Sequence, residues 1–167
     1  MTDKILDLKT SSRRIALIVT VFTLSHSIAL GMASMHWVRI SSTLVESIIA
    51  LSIIIMALNI VFNFFDEKRR LWITFAFGLF HGLGFASVFE AAEQSLGQQL
   101  FALFGFNLGV ELGQLAIVLL VFPLIYSLRH QTFYRGPILT AGATCSAVLG
   151  VIWLAERVFQ ITLLPIF

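Results

Sequence analysis

Five apolar stretches, each roughly 20 residues long, restrict this chain to one kind of fold, a bundle of helices crossing a membrane. They run from Ile15 to Met35, Thr43 to Phe65, Leu71 to Phe89, Leu100 to Tyr126 and Pro137 to Ala155. In hydrocarbon every backbone amide needs a partner, so a span is either a helix or a strand of a closed barrel. The alternating ten-residue pattern of barrel strands does not occur here, which leaves an all-α polytopic bundle. The second and fourth stretches exceed the minimum length and permit tilt. Mean hydropathy is +0.94 over 167 residues, with 58% hydrophobic and 12% charged residues, a balance foreign to soluble domains. The reading is a polar cytoplasmic lead over residues 1–14 and a single transmembrane bundle over 15–167.

The flanks of the stretches set their orientation. Lys4, Lys9, Arg13, Arg14, Lys68, Arg69, Arg70, Arg129 and Arg135 fall on one side, and only Arg39 and Arg157 on the other. By the positive-inside rule the N-terminus is cytoplasmic and the C-terminus outside. Trp37, Trp72, Trp153, Tyr126 and Tyr134 stand at or near span ends, the expected aromatic belt. The first stretch is too long for a signal peptide and lacks a small-residue cleavage site. Ser11 or Ser12 is expected to cap the first helix, Gly136-Pro137 to open the fifth, and Pro123 to kink the fourth. Cys145 is the single cysteine, which excludes an internal disulfide or a thiolate cluster. The basic residues are span ends and imply no nucleic-acid role.

Ionisable groups within the spans are the candidates for function. His26, His81 and Glu111 lie ten or eleven residues into the first, third and fourth stretches. At 1.5 Å per residue that is about 16 Å deep, near mid-membrane in each case. Burying such a group there is costly, so three at one depth point to a polar site inside the bundle. Thr23 and Ser27 share a helix face with His26, and Asn107, Glu111 and Gln114 form a polar stripe on the fourth helix. Glu46 and Asn59 lie towards the two ends of the second. Gly78, Gly82 and Ala86 form one small-residue face, and Gly105, Gly109 and Gly113 another, both expected to pack closely against a neighbour. Gly84 is expected to add local flexibility.

Imidazole with carboxylate and amide oxygen suits a borderline divalent cation such as Ni²⁺, Zn²⁺, Co²⁺ or Fe²⁺. No local spacing of the His-Glu-x-x-His kind is present, so this inference rests on depth. A histidine bonded to a neighbouring helix and a glutamate bridging two helices are the plainer readings of the same residues. Glu90 and Glu93 are expected to face water, with Glu90 near a path to the site.

At these residues the chain resembles the HupE/UreJ family of membrane proteins. The resemblance is carried by Phe22-Thr-Leu-Ser-His-Ser27, Val45-Glu46, Ala50-Leu-Ser52, Ala57-Leu-Asn59, Phe77-Gly-Leu-Phe-His-Gly-Leu-Gly-Phe-Ala86 and Phe106-Asn-Leu-Gly-Val-Glu-Leu-Gly-Gln114. Its histidine motif is similar to that of the family's second branch, His-Gly-x-Gly-Phe-Ala. The resemblance implies metal supply to hydrogenase or urease, with nickel the usual ion of the better-known branch. It also implies His26, His81 and Glu111, then Glu46 and Asn59, as site residues. Two features depart from the family pattern. Leu83-Gly84-Phe85 stands where the nickel-associated branch has a second histidine, and no helix carrying histidine and an Asp-His pair precedes Ile15. Three readings of the second departure stand side by side: a shortened form, one part of a split protein whose partner supplies the helix, or a member that oligomerises to complete its site.

The leading expectation is a permease or accessory protein for a divalent transition metal in a bacterial cytoplasmic membrane, not an enzyme. In it His26 and His81 ligate, Glu111 supplies negative charge, and Thr23, Ser27, Asn107 and Gln114 form a supporting shell. The alternatives are a structural membrane subunit held by helix-bridging polar residues, and an intramembrane metal-dependent hydrolase. Haem held by His26 and His81 is disfavoured by Glu111 and by the lack of basic partners for propionates. Serine proteolysis is disfavoured because Ser25 and Ser27 are adjacent to His26 along one helix.

Overall fold

The computed structural model describes residues 8–85, 95–128, 131 and 134–163. Among the described residues are five α-helices: α1 Leu8–Ser34, α2 Ser42–Phe62, α3 Glu67–Gly84, α4 Leu96–Leu128 and α5 Leu139–Phe159. The described residues form no strand. Among the described residues, α1, α2, α4 and α5 are long and apolar enough to cross a membrane. The third sequence stretch corresponds to α3 and ends beyond it; Lys4, Ala86, Glu90, Glu93 and Arg129 lie outside the described residues. The chain is an integral membrane protein.

Small residues decide which helices meet. Lipid tails are as apolar as leucine, so membrane helices gain from close packing rather than from leaving water. The α1–α3 pair is closest at Gly78 and Gly82. A Cβ at Gly78 would fall on Ser25 Oγ and lie 2.8 Å from the Phe22 carbonyl, and one at Gly82 would fall on the His26 carbonyl. Gly84 packs against α2: its missing Cβ admits Ile49, whose Cδ1 would be 2.8 Å away. Gly150 does the same for α5, lying against Ile54 and the Ala50 carbonyl of α2. The core is built from Ala29, Leu30, Ala33, Val45, Ile49 and Ala50.

Helix α4 is different. It touches mainly α1, and no residue in its most apolar window is buried. The Gly105, Gly109 and Gly113 stripe, expected to pack closely, has nothing within 4 Å of where a Cβ would stand. Those glycines face outward because α4 turns its opposite, polar side to α1. The helix continues through Pro123.

Two ends of the bundle follow from this order. The basic end carries the start of α1, the α2–α3 turn and the α4–α5 connection; the far end carries the α1–α2 turn and the end of α5. Asn63 closes α2 in the left-handed conformation, φ 48°, with its N–H on the Asn59 carbonyl at 2.8 Å. Asp66 then caps α3, accepting from Arg69 N at 2.7 Å. Arg14 pairs with Glu67 at 3.0 Å across this end. Neither Ser11 nor Ser12 caps α1, since both lie inside it; the Ser12 hydroxyl donates back to the Lys9 carbonyl. Tyr134–Ile138, with Pro137 inside it, is a π-helical turn that runs directly into α5.

Candidate functional site

His26 is 2% exposed, on the face of α1 turned towards α3. Its backbone is pinned there, because Gly82 lets α3 rest on the His26 carbonyl. Its ring is enclosed by aromatic rings: Phe22 stacked at 6.0 Å between centroids, Phe106 stacked at 6.4 Å and Phe85 edge-on at 5.8 Å. Phe85 and Phe106 are themselves 5.2 Å apart. Neither Nδ1 nor Nε2 of His26 has a hydrogen-bond partner, although both are buried. Buried polar atoms in native proteins are nearly always paired, so an imidazole with both nitrogens open is a position that needs an explanation.

His81 reaches the same region from α3. The Phe22 ring meets it edge-on at 5.2 Å, so one phenyl ring is in contact with both imidazoles. His81 Nε2 lies 3.3 Å from Ser52 Oγ of α2, and the Ser52 hydroxyl donates to the Ile49 carbonyl at 2.7 Å. With its proton committed to Ile49, the hydroxyl can only accept from His81. That places the imidazole proton on Nε2 and leaves Nδ1 as the lone-pair nitrogen.

A cavity of about 610 Å³ opens beside His81, lined also by Phe22, Ser52, Met56, Thr74 and Ser146. It extends to Ile60, Ile125 and Ile138, hence towards the basic end. A second cavity, of about 410 Å³, lies at the far end between His36, Arg39, Ser41 and Leu83.

The other expected site residues divide into separate roles. Thr23 Oγ1 donates to Gln114 Oε1 at 2.9 Å, and Ser27 Oγ to Asn107 Oδ1 at 2.9 Å. These two bonds, with Gln99 donating to the Ser34 carbonyl at 2.6 Å, hold α4 against α1. Asn59 is buried at the basic end, where its side chain accepts from Phe65 N at 3.0 Å and organises the α2–α3 turn. Glu46 is at the far end, with its carboxylate 2.7 Å from Arg157 Nε. The Nε–H is not aimed at the oxygen, so the contact is electrostatic rather than a hydrogen bond. Glu111 is exposed on the flank of α4. Among the described residues no three His, Cys, Asp or Glu side chains gather as a metal-binding group.

Sequence reasoning did not single out the partner of His81 or the enclosure of His26. Ser52 was one unremarkable serine among several, and Phe22, Phe85 and Phe106 are three of 16 phenylalanines. The available signals were the i, i+4 spacing of Phe22 and His26 and the presence of Ser52, Phe85 and Phe106 in the segments that resemble the family.

No curated protein and no solved structure matches the chain. A family model described as HupE / UreJ protein matches residues 4–157, which takes in both histidines, Ser52 and all of α1 to α4. The chain belongs to the HupE/UreJ family.

Proposed function

We propose that this protein passes or hands on a divalent transition-metal ion, with His26 and His81 as the ligands its cargo meets at mid-membrane. The observation that carries the reading is the His26 ring, buried with both nitrogens unpaired beside a second imidazole. Neutral imidazole is the common protein ligand for nickel, zinc, cobalt and iron, and a ligand nitrogen has to be free of hydrogen bonds to bind. His81 offers Nδ1 while Ser52 holds its other nitrogen, the usual way a ligating histidine is oriented. Family membership supports the same class of cargo.

Glu111 is the carboxylate that balances the charge of the ion. Its exposed position requires α4 to turn, or a second copy of the chain to present it. The membrane is the cytoplasmic membrane of a bacterium, with the basic end inward. The test is elemental analysis of detergent-purified protein after loading with nickel, zinc or cobalt, beside His26→Ala. Stoichiometric metal in the parent and its loss in the variant is the expected result. Absence of bound metal in the parent after all three loadings overturns the reading.

A second reading, a structural membrane subunit, is favoured by one set of observations. Thr23, Ser27, Asn59, Asn107 and Gln114 are all engaged in contacts between or within helices. It leaves the open nitrogens of His26 without a purpose.

A further inference from the structure

The two histidines differ in access. His81 and Ser52 line the cavity that runs to the basic end, and so does Phe22. His26 lines neither that cavity nor the one at the far end. The far cavity stops at Ala33 and Leu83. His26 is buried and flanked by Phe22, Phe85 and Phe106. Of these rings only Phe22 touches both imidazoles and also faces the open cavity.

We propose that Phe22 is the barrier between the cavity and His26, so that a solute from the basic end meets His81 first and reaches His26 only when the Phe22 ring turns aside. The inference rests on the reading of the histidine pair as a solute site. Phe22 is placed to act this way because its ring stacks on His26 at an interplanar angle of 24° and stands at 71° to His81. Phe22 itself lines the cavity, which gives its ring space to turn into. Phe85 and Phe106, in mutual contact, close His26 on other sides.

Thiol labelling tests this without any metal. In a Cys145→Ser background, single variants His81→Cys and His26→Cys are placed in lipid nanodiscs and treated with 2-aminoethyl methanethiosulfonate. The cysteine at 81 is expected to react readily, and the one at 26 at least about tenfold more slowly, a difference of ~1.4 kcal/mol in barrier. Adding Phe22→Ala is expected to speed the reaction at 26 by about tenfold or more and to leave that at 81 within about twofold. If the alanine variant does not elute as a single folded species, Phe22→Leu replaces it, with a smaller acceleration at 26 expected.

Equal labelling at 26 and 81 with Phe22 intact overturns the proposal. So does slow labelling at 26 after Phe22 is shortened, where unchanged labelling at 81 shows the bundle intact. Failure of the metal reading would appear as metal-free parent protein and would leave these rates unaltered, so the two outcomes are distinguishable.

Discussion

Ser52 Oγ sits between two partners, 2.7 Å from the Ile49 carbonyl to which it donates and 3.3 Å from His81 Nε2, from which it accepts. One hydroxyl thereby fixes the tautomer of an imidazole on another helix. Ser52→Ala is expected to leave that N–H without its acceptor, costing about 1 kcal/mol. If His81 ligates, metal affinity falls by about 10–100-fold as well. Thermal unfolding in detergent and metal titration of the same variant measure the two effects separately. Affinity unchanged with stability reduced would make Ser52 a purely structural partner.

Glycines with and without a neighbour give a contrast within one protein. Gly82→Ala places a methyl on the His26 carbonyl and 3.0 Å from Ala29 Cβ, so α1 and α3 must move apart. A loss of about 1–3 kcal/mol is expected. Gly109→Ala meets nothing within 4 Å and is expected to change stability by less than about 0.5 kcal/mol. Unfolding midpoints of the two variants in one detergent decide the matter, and equal losses would show that the α1–α3 contact is looser than described.

The Thr23–Gln114 bond joins α4 to α1 and is open to a double-mutant cycle. Thr23→Val and Gln114→Leu, alone and together, are expected to show a coupling of about 0.6 kcal/mol, the usual size for such bonds in membranes. A coupling near zero would mean that Ser27 and Asn107 hold the helix without them.

Glu46 and Arg157 are each about one-third exposed at the far end, at 31% and 34%, and their contact is electrostatic. Glu46→Gln is expected to cost less than about 1 kcal/mol, and less still in high salt. The reversed pair, Glu46→Arg with Arg157→Glu, should recover most of the loss. A large, salt-independent loss would instead point to a role for Glu46 beyond the pair.

The helices were legible because apolar run length is a local property of the chain. The places of His26 and His81 along their helices were legible for the same reason, since helical rise converts residue number into distance. Rotation is different: it is decided by partners that are distant in sequence. Asn107, Glu111 and Gln114 read correctly as one side of α4. Yet only the tertiary packing shows Asn107 and Gln114 turned to Thr23 and Ser27, with Glu111 left on the exposed flank. The two glycine stripes look alike as sequence and have opposite surroundings, because α3 lies between α1 and α2 while α4 lies outside them. Ser52 could not be ranked above other serines until His81 was seen beside it.

The helix at the centre of the site is fitted to two neighbours at once. Helix α3 carries Glu67, Lys68, Arg69 and Arg70 in its first turn, at the basic end, and its apolar part begins at Leu71. Gly78 and Gly82 fit it to α1, and Gly84 fits it to α2. With α1 and α2 made before α3, the surfaces that those glycines fit exist by the time α3 is made.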